Sequence, residues 1–308
     1  MKTLLRAVGL IAVIAGISPS LQAQWKVQTP GVPRLANGEP NLNAPAPKTA
    51  DGKPDLSGIW QNGRGGGGGG GGAAGQRGAA GQRGAAGQRG APAAGATPAP
   101  AAPAPAPAPP AGPPAASFGN AGQGFPGGLP YQPWAAELVA KRKADNSKDN
   151  PDAHCLPMGF MQFHTHPEPR KIYQTPEAVL IVYEANSGLR QIFTDGRSLP
   201  KDAQPWWYGY SVGKWEGDTL VVETTGFLDT DPQWLDVQGS PLTENAKVTE
   251  KFRRVNFGTL EIEITVDDPK AYTKPWTVKV TQRIMVDTDL IEFICEDRDA
   301  THYIGAPK

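Results

Sequence analysis

From Thr259 to Val266 the chain reads TLEIEITV, with oily and water-loving side chains in strict alternation. On a strand, successive side chains point to opposite sides, so Leu260, Ile262, Ile264 and Val266 share one face and Glu261, Glu263 and Thr265 the other. The same period of two runs through WTVKV (Trp276, Val278 and Val280 against Thr277 and Lys279). In TLVVETT, Leu220 and Val222 share a face with Thr224, and Val221 lies beside Glu223. Such strands are half-buried and antiparallel, with one face wet. AVLIVY at 178–183 is apolar on both faces, which predicts a central position. Turn signals at 186–188 (NSG), 216–218 (EGD), 256–258 (NFG) and 287–289 (DTD) separate the runs. Roughly eight to ten strands in an antiparallel meander predict an all-β domain that closes into a barrel or folds into a sandwich.

The remainder of the chain divides by composition. Residues 1–23 carry Lys2 and Arg6, then AVGLIAVIAGI, then SPSLQA, a pattern that predicts an export signal cleaved near Ala23. The apolar run is too short to span a bilayer about 30 Å thick, so no membrane span is expected. An N-terminal segment follows at 24–62, and residues 63–117 are low in complexity. There GAAGQR occurs three times from Gly72 to Arg89, between a glycine run and an Ala/Pro tract. With almost nothing apolar to bury, this stretch is expected to be a disordered insert. The β domain would occupy 118–308, opening with one short helix in QPWAAELVAKRKADN. Its Pro133 suits a first turn, Trp134 and Leu138 share a face, and Lys141, Arg142 and Lys143 match the C-terminal dipole.

Ten of the 30 basic residues but only three of the 30 acidic ones lie within 1–130, which leaves the rest of the chain near −7. A nucleic-acid partner is not expected of such a domain. The two cysteines, Cys155 and Cys295, would meet an oxidising, periplasmic or extracellular compartment and are expected to form one disulfide.

Four stretches invite a chemical reading. GKWEGDTLVVETTGF holds Glu216, Asp218 and Glu223, but the first two fall at a hairpin tip, where water keeps carboxylates ordinary. In HCLPMGFMQFHTHPEPR, His164 and His166 would share a strand face, and His154 or Glu168 would complete a three-ligand metal site. That arrangement would serve a metal-dependent hydrolase or oxygenase holding a divalent transition metal. PWWYGY supplies Trp206, Trp207, Tyr208 and Tyr210, too many rings for one core, so some are expected to border a ligand cavity. LDTDPQWLD, with Asp229, Asp231 and Asp236, lacks the mid-loop glycine and closing glutamate of a calcium loop and reads as a polar turn. No phosphate loop or nucleophile elbow is present, and no catalytic residue is assigned.

At DGKPDLSGIW (51–60), GYSVGKWEGDTLVVETTGF (209–227) and LIEFICED (290–297), the sequence resembles a large family of uncharacterised exported bacterial proteins. The family's shorter phrases stand here as Cys155-Leu156-Pro157, Gln174-Thr175-Pro176, Asp195-Gly196-Arg197, and Asp268-Pro269 with Tyr272 and Pro275-Trp276. The resemblance implies export but no activity. Gly58-x-Trp60 is also similar to the first-strand motif of lipocalin (calycin) barrels, whose tryptophan plugs one end beneath an arginine from the last strands. That likeness implies a first strand at DLSGIW, with Arg283 or Arg298 over the tryptophan, and makes the insert an excursion from the barrel. The expected function is an exported barrel, without cofactor, that binds a small apolar or carbohydrate ligand or acts as an extracytoplasmic interaction module. The metal enzyme is the alternative.

Overall fold

The computed structural model describes residues 28–63, 112–228, 233–291 and 293. Nine strands close into a barrel: β1 (Gly58–Asn62), β2 (Arg170–Gln174), β3 (Ala178–Tyr183), β4 (Leu189–Phe193), β5 (Tyr210–Glu216), β6 (Thr219–Thr225), β7 (Lys247–Asn256), β8 (Thr259–Asp267) and β9 (Trp276–Met285). They follow chain order around the ring. β1 closes it, with Trp60 opposite both Arg170 of β2 and Ile284 of β9. Gly58, Ile59 and Trp60 of the DLSGIW segment therefore belong to the barrel wall. Most of the expected insert, 64–111, lies outside the described residues. Its described end runs along the wall, where Ala115 bridges Lys279.

The ring is not a plain meander. Eight neighbouring pairs are antiparallel, but β4 and β5 run parallel and touch through only Ile192 opposite Ser211 and Phe193 opposite Val212. Strand directions that alternate around a closed ring require an even number of strands, so nine strands force one parallel pair. The 194–209 connection consequently doubles back, so that β5 starts beside the end of β4 and runs on in the same direction.

Alternation sets the core. Leu260, Ile262, Ile264 and Val266 of β8, Leu220 and Val222 of β6, and Val278 and Val280 of β9 are all buried inside. A closed ring has no central strand, yet β3 is more covered than its neighbours: Val179, Ile181 and Tyr183 face in and Leu180 and Val182 are half-buried outside, whereas Tyr173 of β2 and Leu189 of β4 are exposed. At the β5–β6 hairpin, Gly217 takes φ +58, as the tight turn demands. Glu216 and Asp218 are exposed there, and Glu223 pairs with Lys247 on the outer wall.

Helix α1 (Pro133–Ala144) turns a different face inward from the one expected. Ala135, Val139 and Arg142 are buried, whereas Trp134 is exposed and donates to the Lys270 carbonyl at 2.7 Å. Arg142 lies 4.4 Å over the Trp234 ring and donates to the Gly239 carbonyl at 2.8 Å. The small residues let the helix approach closely, and the guanidinium is drawn in by an aromatic face.

One barrel end is closed by Trp60, which is fully buried and donates through Nε1 to the Leu56 carbonyl at 2.9 Å. The arginine above it is Arg254 of β7, 4.9 Å from the ring centre, and not the expected Arg283. Strand parity explains the change: Arg254 is in phase with inward Val248 and Phe252, while Arg283 follows inward Gln282 and points out. Arg298 lies outside the described residues. Gly58 has φ +140, a conformation that L side chains avoid, and an added Cβ would stand 3.2 Å from Ile284.

Candidate functional site

The opposite end is stoppered by residues 158–166, which place Phe160, Phe163 and His164 inside. The expected strand through HTH is instead one helical turn, α2 (Gln162–Thr165), followed by extended His166. Two positions apart on a helical turn do not share a face, and the histidines separate accordingly. His164 reaches Glu250 of β7, Nε2 to Oε1 2.8 Å. His166 lies edge-on to Phe118, and its Nδ1 is 2.7 Å from Glu168 Oε2. His154 is exposed, with Nε2 2.9 Å from the Lys148 carbonyl. Among the described residues no three His, Cys, Asp or Glu side chains converge to hold a metal, so the set His154, His164, His166 and Glu168 is not assembled as expected.

The structure gathers a polar belt inside the barrel. Glu250 accepts from both terminal nitrogens of Arg190, on β4, and from His164. Arg190 Nη2 also lies 3.1 Å from Ser211 Oγ and 3.2 Å from Thr224 Oγ1, two hydroxyls 2.9 Å apart on paired strands. Burial alone would raise the Glu250 pKa, but Arg190 and His164 overcome it and hold the carboxyl down at about 2. Burial pushes His164 below its ordinary value, against the pull of Glu250. The imidazole is therefore neutral, donates from Nε2 to the carboxylate, and leaves Nδ1 as a bare acceptor.

Beside this network sit polar atoms with no hydrogen bond: His164 Nδ1, Arg190 Nε, Arg170 Nε and Nη1, Gln282 Oε1, and the Tyr208 hydroxyl; the Tyr183 hydroxyl lies beside the Arg190 guanidinium. Arg170 and Tyr183 are directly opposite on β2 and β3. Burial lowers the Arg170 pKa to about 10, which still leaves it charged at neutral pH, and raises Tyr183 to about 12. Buried polar groups normally have partners, so a cluster of orphans marks a place built for something else.

The aromatic quartet lies at the parallel seam. Trp206 is 37% exposed and stands 5.2 Å from the half-buried Tyr210 ring, which in turn is 5.2 Å from Phe193. Trp207 is half-buried and donates to the Met158 carbonyl at 2.9 Å. Tyr208 is buried, 4.7 Å from Phe163 and 6.4 Å from Tyr183. Trp206, Trp207 and Tyr208, with Leu189, Arg190 and Gln191 of β4, line a pocket of about 240 Å³; Tyr210 lies outside it.

Sequence reasoning missed the belt, although a signal was present. Glu250 falls in phase with Val248 and Phe252, and Arg190 with Ile192, so each charge occupies the buried parity of its strand. A charge in that register needs a buried partner. Asp236 is buried, accepting from Ala121 N and from the backbone and hydroxyl of Ser240, a loop-bracing role; Asp229 and Asp231 lie outside the described residues.

No family model, curated protein or solved structure matches the chain.

Proposed function

We propose that this chain is an exported small-molecule-binding barrel, whose apolar, aromatic or sugar ligand rests against Trp206, Trp207 and Tyr208 at the β4–β5 seam. The supporting observation is the seam itself. Two residue pairs join the wall there, against seven between β5 and β6, and an aromatic-lined pocket opens beside the gap. Rings with exposed faces beside convergent polar groups are what a small-ligand site requires. Glu250, tied up by the Arg190 cation and the neutral His164 donor and ionised far below neutrality, is poorly suited to proton transfer, which favours binding over catalysis.

Ligand-observed NMR with a library of small aromatics and monosaccharides tests this reading. A binder is expected whose affinity falls roughly tenfold to thirtyfold in Trp206→Ala. Thermal stability should hardly change, because that ring is largely outside the core. A library without a single saturable binder would overturn the proposal.

Export is proposed from the basic, apolar and small-residue order of 1–23, and membership of the exported family from the phrases at 51–60, 209–227 and 290–297. Export brings with it a Cys155–Cys295 disulfide, although Cys295 lies outside the described residues. Intact mass spectrometry of secreted material should show cleavage near Ala23 and no alkylation until a reductant is added. Two thiols alkylated without reduction would sink the pairing. In the chain-entropy picture the bond contributes about 4–5 kcal/mol.

A further inference from the structure

Arg170 is 1% exposed, yet among the described residues no carboxylate pairs with it. Its Nη2 lies 3.1 Å from the His166 carbonyl and 3.5 Å from that of Glu168, while Nε and Nη1 meet no acceptor. The belt holds two guanidiniums, Arg170 and Arg190, against the single carboxylate of Glu250, with His164 neutral. The balance is one uncompensated positive charge. Water would satisfy hydrogen bonds there but would leave the charge unpaired, and a buried unpaired ion costs several kcal/mol. An anion does both.

Direction comes from the tyrosines. Tyr183 is the cross-strand neighbour of Arg170, and its hydroxyl lies beside the Arg190 guanidinium with its own proton free to donate. Tyr208 lies next to Tyr183, with an unpartnered hydroxyl, and lines the seam pocket together with Arg190, whose Nε is unused. A file of spare donors thus runs from the aromatic pocket inward to the unpaired cation. Resting on the binding reading above, we propose that the seam ligand is a small aromatic or apolar carboxylic acid. Its ring lies against Trp206 and Trp207, and its carboxylate is held by Arg170 and Tyr183. A single excess charge suits a monoanion, and charge-assisted hydrogen bonds are the strong ones.

Benzoate and its neutral isostere benzamide are the probes, measured by calorimetry and by ligand-observed NMR on the full-length protein in carboxylate-free buffer. Benzoate is expected to bind at least roughly tenfold more tightly than benzamide. In Arg170→Met that preference should vanish while benzamide affinity stays put. The variant should also melt no lower than the parent in the absence of ligand, since it removes an unpaired buried charge. A merely structural arginine behaves oppositely: its loss lowers the melting temperature and leaves any benzoate preference intact, which would overturn the inference. Equal affinities for the two probes, or no binding of either, would overturn the anion site; the seam reading falls only with an empty library screen. If Arg170→Met does not fold, Tyr183→Phe decides, with a roughly tenfold loss confined to benzoate. An unchanged preference there would overturn the assignment.

Discussion

Replacing Glu250 with glutamine should lower the unfolding free energy by about 3–5 kcal/mol, because the change strands the Arg190 guanidinium in a dry interior. The side chain keeps its shape, so the loss reports charge and not volume. Glu223→Gln is the matched control: its partner Lys247 is half-exposed, and such a surface pair contributes at most about 1 kcal/mol. Urea denaturation of both variants checks the contrast, and equal small losses would show that the belt is not holding the barrel. Acid should act on the same network in two steps. His164 has a folded pKa below its ordinary 6.5, so it is the unfolded chain that takes up the proton first, and stability falls as pH drops through that value. Glu250 is held near 2 against an ordinary 4.5, so its contribution is complete above 4.5 and drains away toward 2. Melting temperature measured from pH 8 to pH 3 should therefore decline in both windows, and Glu250→Gln should flatten the lower one.

Trp60→Ala is expected to cost about 3–5 kcal/mol, at the upper range for core truncations. The ring is wholly buried, its indole nitrogen is bonded, and Arg254 packs on its face, so removal leaves a hole beneath a cation otherwise held by the backbone carbonyls of residues 55, 57 and 257 and the Phe257 ring. Trp206→Ala, at the solvent-facing seam, provides the internal comparison and should cost little. Denaturation midpoints that fell equally for the two would contradict the assignment of Trp60 as the plug.

Alternation made the strands legible because burial has a period of two only where one face is dry. TLEIEITV and TLVVETT therefore disclosed both their element and their orientation. The tip glycine at 217 disclosed its hairpin for a similarly local reason. The parallel seam was hidden, since direction around a ring is a global count that no short stretch carries. HTH misled because two histidines at even spacing look alike on a strand and scatter on a helical turn, and the flanking residues of α2 have no caps to announce it. The belt fell between these cases. Its charges sat in the buried register, but which group met which depended on residues far apart in the chain, 60 positions for Arg190 and Glu250 and 86 for His164 and Glu250. Trp60 stands beneath Arg254 instead of Arg283, because residue 254 has the inward parity of β7 whereas residue 283 has the outward parity of β9.

Closure of the ring by β1 also governs how the protein must be made. Trp60 meets its neighbour Ile284 only after more than two hundred further residues have been synthesised. Until β9 arrives, β1 and β8 each present an unpaired rim, and such rims recruit other chains. Contacts so distant in sequence make for slow assembly. A polypeptide cut short before Trp276 would thus be expected to clump instead of forming a smaller barrel.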